Sequence, residues 1–149
     1  MSTKTTADII DSMGIWFDKF PVLPKNWRET LVKITPIFAL IFGILGIFVS
    51  VAGLGVFTAT SPLAFLGGAT AVSSYGTGFI SMIIYLIGYL LLLAAYPGTK
   101  AKKYKGWKLL FWSQAANLIG GVISLSILYS IISALIGFYL LFQIRSYYK

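Results

Sequence analysis

The sequence predicts an all-α integral membrane protein, with four transmembrane helices in two antiparallel hairpins behind an N-terminal amphipathic interfacial helix. Three observations carry this expectation. Of 149 residues, 58% are hydrophobic and only 11% are charged, against about 25% charged in ordinary soluble domains. Residues 34–99 and 109–144 carry no charge at all. A lysine-rich segment separates these runs, and further Lys and Arg flank them.

Residues 1–34 read as a cytoplasmic or interfacial segment and 35–149 as the membrane domain. Within the first part, residues 5–20 have helical periodicity. Thr5 and Asp8 are spaced as a capping box. Ile9, Met13, Trp16, Phe17 and Phe20 share one face, with Asp8, Asp11, Ser12, Asp18 and Lys19 opposite. Such a helix suits either the headgroup layer or the protein's own cytoplasmic face. Pro21 and Pro24 end it. Asn26 and Glu29 then suggest a new capped start, with Trp27 as an interface anchor. Pro36 is expected to break this helix, with Thr35 as a fresh cap, because an internal proline costs about 3 kcal/mol.

The first span covers about residues 36–56, enough helix to cross about 30 Å of hydrocarbon. Ala39, Gly43, Gly46, Ser50 and Gly53 alternate at spacings of four and three, which lines one face with small residues. Such a seam lets another helix approach closely. Residues 57–76 are uncharged and read as a link, with a short helix at 62–66 stopped by Gly67-Gly68 and a turn in Val72–Gly78. The second span covers about 77–96. Its small residues Ser74, Ser81, Gly88 and Ala95 recur every seventh position and complement the first seam, and Tyr96-Pro97-Gly98 ends it.

Residues 99–108, TKAKKYKGWK, hold Lys100, Lys102, Lys103, Lys105 and Lys108 with no acid. Short loops of this kind stay cytoplasmic, so both termini are expected inside. The same lysines are candidate contacts for anionic lipid headgroups. The run 109–144 would be about 54 Å long as one helix, too long for a single crossing. Two helices, 109–125 and 127–144, turning at Ser124-Leu125-Ser126, fit better, either as a full hairpin or as a re-entrant one. Ser113, Asn117, Gly120, Gly121 and Ser124 share a face that is expected to meet Ser126, Ser130, Ser133 and Gly137. The polar leader is too long for a signal n-region, so the first span is expected to act as an uncleaved signal.

The composition removes many functions. There is no cysteine and no histidine, hence no thiolate nucleophile, iron–sulfur site or imidazole base. The only acids, Asp8, Asp11, Asp18 and Glu29, precede the first span. No catalytic motif, cofactor fingerprint or metal-ligand set is present. No ionisable group lies within a span, as ion-coupled transport normally requires. The polar groups at depth are Tyr85, Gln114, Asn117 and Ser133, with Tyr89 one turn from Tyr85. These read as interhelical hydrogen-bond glue, Asn117 pairing with Ser133 or Tyr85, or as the lining of a path or ligand pocket.

The expected function is therefore non-enzymatic: a structural, accessory or lipid- and partner-binding membrane protein. It would act as a homo-oligomer or as a subunit of a larger complex against an anionic leaflet, with no nucleic acid. The alternative is an oligomeric passive channel or small-solute carrier lined by Asn117, Gln114 and Tyr85.

Overall fold

The computed structural model describes residues 2–149, with side chains from Thr6 onward. Five α-helices follow in order: α1 Ser2–Phe17, α2 Lys25–Leu66, α3 Gly68–Lys100, α4 Tyr104–Ile123 and α5 Ile127–Ile144. A 3-10 turn, Arg145–Tyr147, follows α5. Among the described residues there is no strand. Three helices, α2, α3 and α5, are long and apolar enough to cross a membrane. Expected as the third span, α4 is not among them. Lys105, Lys108, Gln114 and Asn117 dilute its twenty residues.

The largest departure from the sequence reading is continuity. No break occurs at Pro36; α2 runs through both Pro36 and Pro62 for 42 residues, about 63 Å. Proline removes the donor for the carbonyl four residues earlier. At Pro62 that carbonyl is Thr58, and the Ser61 hydroxyl donates to it at 2.9 Å. Beside Pro36 the Thr35 hydroxyl donates to the Leu31 carbonyl at 2.6 Å. Hydroxyls beside the proline are a known means of sustaining a membrane helix.

The expected link at 57–76 is likewise helical, including 72–78. Only Gly67 interrupts, and the reversal uses Gly68 at φ +75°, where a side chain would be strained. At its other end α3 passes through Pro97 to Lys100 rather than stopping at Tyr96. The helix α2 begins after Pro24, with no side-chain cap from Asn26. The helix α1 is already helical at Ser2, so the Thr5–Asp8 capping box has no helix end there; the Thr5 side chain lies outside the described residues. The turn between α4 and α5 falls where expected, with Leu125 at φ +60°.

Consecutive helices pack in order, α2 on α3, α3 on α4, α4 on α5, and α5 also touches α1 and α2. Tyr85 of α3 lies against Gly120 and Gly121, near the α4–α5 turn. The hairpin of α2 and α3 therefore continues beyond that turn by about fourteen residues, or about 21 Å. The main core lies at the opposite, lysine-bearing end. There Ile10, Phe17, Val32, Trp107, Phe111 and Phe138 are buried together. The Trp107 indole donates to the Leu141 carbonyl at 2.8 Å, which gives its polar edge a partner. The chain end folds back on the lysine loop: the Tyr104 amide donates to the Lys149 carbonyl, and the Lys149 amide to the Lys102 carbonyl.

Candidate functional site

The small-residue seam on α2 faces α3, and larger side chains of α3 fill it. A methyl group at Gly43 would lie 3.0 Å from Leu93, and one at Gly46 would lie 2.1 Å from the Tyr89 ring. Gly53 receives Met82 in the same way. Near the lysine end small residues of both helices come together, Ala39 and Ala95 packing with Leu110. Ser50 and Ser81 are buried and Ser74 is exposed. Gly88 turns away from α2 to α4: a methyl there would lie 2.8 Å from Asn117 Oδ1.

The small face of α4 is accordingly turned mainly to α3, not to α5 as the sequence suggested. The Ser113 hydroxyl donates to the Gly88 carbonyl at 2.8 Å, and Gly120 holds the Tyr85 ring. Of that face, Gly121 meets α5, at Ser130. A closer contact, which the sequence reading missed, sits at the loop. Gly98 and Gly106 bring the backbones of α3 and α4 together, and a methyl on Gly106 would lie 2.3 Å from the Gly98 carbonyl carbon. Glycine beside a lysine loop reads as a turn; the interhelical contact has no local signature.

The four polar residues expected at depth come together. Tyr85, Gln114, Asn117 and Ser133 line one hollow of about 180 Å³ with Tyr89, Tyr129 and Ser130. The expected hydrogen bonds of Asn117 to Ser133 or Tyr85 do not form: Asn117 Oδ1 is buried without a partner. No side-chain hydrogen bond within the chain engages Tyr85, Tyr89, Gln114, Tyr129 or Ser133 among the described residues. The Ser130 hydroxyl is satisfied, by the Ser126 and Ile127 carbonyls. A second hollow, of about 340 Å³, shares Gln114 and Asn117. Its other walls are mainly apolar: Leu31, Phe38 and Phe42 of α2, and Leu140, Leu141 and Ile144 of α5. Gln114 stands at the junction with its amide against Gly137.

The lysine set divides. Lys100 and Lys102 join Lys33 of α2 around a hollow of about 370 Å³, floored by Val32, Pro36, Ile37 and Tyr96. The Lys100 ammonium lies 5.8 Å from the centre of the Tyr96 ring. Lys108 points elsewhere, over Tyr104 at 5.2 Å, and Lys103 and Lys105 do not line the Lys33 hollow. The two ion pairs among the described residues are Lys25–Glu29 and Arg145–Asp11, so no carboxylate neutralises this trio. In sequence Lys33 lies far from the lysine loop, so spacing alone does not group it with Lys100 and Lys102.

The helix α1 packs on α5 and on Arg145. Ile10, Gly14 and Phe17 are its buried face, whereas Ile9, Trp16 and Phe20 are exposed. Its expected apolar face is thus split, one half on the protein and one half outward. Asp11 accepts from Arg145 at 2.6 Å, and Phe17 stacks on Phe142 with ring centres 5.2 Å apart. Beside them, burial raises the pKa of the Tyr148 phenol. No group of three or more acidic, histidine or cysteine side chains that could hold a metal occurs among the described residues.

No known family, curated protein or solved structure matches this chain.

Proposed function

We propose that the chain is a non-enzymatic membrane protein that works by contact with cytoplasmic-leaflet lipid and with partner helices. In this reading α2, α3, α4 and α5 all cross the bilayer, as two hairpins, and both termini lie in the cytoplasm. The α4 helix tolerates its polar residues because neighbouring helices, rather than lipid, surround much of it. The α1 helix lies at the interface with Ile9, Trp16 and Phe20 toward the lipid. The protein acts as a homo-oligomer or within a larger membrane assembly.

One observation carries the reading: Lys33, Lys100 and Lys102 ring an apolar floor with no acid to neutralise them. Ammonium groups above greasy side chains match an anionic phospholipid, with its phosphate at the rim and its chain below. Each lysine near an anionic surface contributes about 1 kcal/mol, so the trio supplies about 3 kcal/mol, or about a hundredfold in retention.

Native mass measurement of the full chain, with lipids and partners retained, tests this. Anionic phospholipid should stay bound to the wild type. It should be lost about a hundredfold in the Lys33→Gln/Lys100→Gln/Lys102→Gln variant, and much less in the Lys103→Gln/Lys105→Gln/Lys108→Gln variant. Equal retention in both variants counts against the lipid site. A lone monomer with no accompanying protein counts against the accessory role.

A further inference from the structure

Hydrophobic surroundings make an unpaired amide or phenol costly. Yet five side chains, Tyr85, Tyr89, Gln114, Asn117 and Ser133, converge on one hollow between α3, α4 and α5 without a hydrogen bond among the described residues. Asn117 Oδ1 is in addition fully enclosed. Nothing in the lining carries a charge. A bound ion would therefore lie in low dielectric without a counter-charge. An uncharged guest that both donates and accepts hydrogen bonds would meet no such penalty.

The shape adds a second constraint. The polar hollow and the larger apolar one meet at Gln114 and Asn117. They also use one face of α5: Ser130 and Ser133 in the first, then Gly137, Leu141 and Ile144 in the second, at helical spacing. Polar and apolar halves thus follow one another along a single groove. About 21 Å separates Ser130 from Ile144 along α5. Tyr129 is 79% exposed at the polar end, and Ser133 is exposed too, so the groove opens sideways.

We infer that this groove binds an uncharged lipid with a hydroxyl-bearing head, of the acylglycerol type. The head lies among Tyr85, Asn117 and Ser133. The acyl chain lies along Phe38, Phe42 and Leu141. Gln114 reads the head at the junction, where Gly137 leaves it room. The site is separate from the Lys33 groove and does not depend on it.

Photo-crosslinking of the full chain in phosphatidylcholine nanodiscs tests the inference, with a photoactivatable 1-acylglycerol as probe. Label should fall on peptides spanning 113–118 and 129–141. Excess 1-oleoylglycerol should displace it, whereas the 3-phosphate ester with the same chain should not. Competition on the wild type needs no variant to fold. The Asn117→Leu/Ser133→Leu variant, with helix content checked by circular dichroism, should label about thirtyfold less, as loss of two hydrogen bonds predicts. Three results overturn the inference. Equal competition by the phosphate ester means that the head is not read. Label confined to the exposed part of α2 outside the groove, from Ile44 to Val51, means that the probe sits in bulk lipid. Disulfide dimers of Tyr129→Cys, with groove labelling absent, assign the groove to a second copy.

Discussion

Gly106→Ala separates local helix preference from interhelical contact, because the two predict opposite signs. Replacing glycine by alanine inside a helix gains about 1 kcal/mol. In the structure, however, the new methyl would lie 2.3 Å from the Gly98 carbonyl carbon and 2.4 Å from the Thr99 amide nitrogen. Both neighbours are backbone, so no side chain can swing aside. The helices must part by about 1 Å to restore ordinary contact, and overpacking of this kind costs about 1–3 kcal/mol. Parting also strains the loop closure, where the Lys103 amide donates to the Gly98 carbonyl at 2.9 Å, a bond worth about 1 kcal/mol. The net expectation is destabilisation by about 2 kcal/mol. Gly55→Ala is the matched comparison: it too lies inside a helix, but nothing stands within 4 Å of its added methyl. That variant should be neutral or more stable by up to about 1 kcal/mol. Unfolding of the full chain in mixed micelles, followed by circular dichroism, reads both. If Gly106→Ala proves as stable as the wild type, the close approach of α3 and α4 at the loop is wrong.

Three further outcomes follow from the same geometry. Gly46→Ala should destabilise by about 1–3 kcal/mol because its methyl would enter the Tyr89 ring. Adding Tyr89→Ala should recover part of that loss, and a double-mutant cycle with no coupling refutes the contact. Trp107→Ala should cost about 3–5 kcal/mol, since the ring is fully buried and donates to Leu141; Trp107→Phe should cost less, and near-equal midpoints for all three proteins would contradict the core assignment. Ile10→Ala, at a fully buried position, should speed amide exchange throughout α1 far more than Asp11→Asn, whose ion pair is 61% exposed on the carboxylate side; the reverse ranking would mean that α1 is held by charge rather than by packing.

Hydropathy along the chain was sufficient for the class of protein and for the position of its apolar segments. Each residue's preference for lipid is its own property and needs no partner. The turn at Ser124-Leu125-Ser126 was readable from the length of the uncharged run, whereas Gly67-Gly68 read only as the stop of a short helix and is in fact the reversal between α2 and α3. Helix continuity was not. Whether Pro36 and Pro62 break α2 depends on what surrounds the freed carbonyls: the Ser61 hydroxyl reaches the one freed by Pro62, at Thr58, whereas the Thr35 hydroxyl bonds Leu31, the neighbour of Val32, whose carbonyl Pro36 frees. The convergence of Tyr85, Gln114, Asn117 and Ser133 was anticipated because polar groups at depth seek one another. That they would meet around a hollow, rather than pair, depends on how far apart three helix axes stand.

The sequence alone determined that this is a helical chain with apolar segments of membrane-crossing length and its charges gathered at their ends. Only the tertiary structure decided which neighbour each face meets. Gly88 turned to α4, α1 split its apolar face, and Lys33 joined two loop lysines from far along the chain. The physical reason is that partition between water and lipid is additive along a helix, whereas the rotation of one helix against another is set by how side chains from distant segments fill the same space.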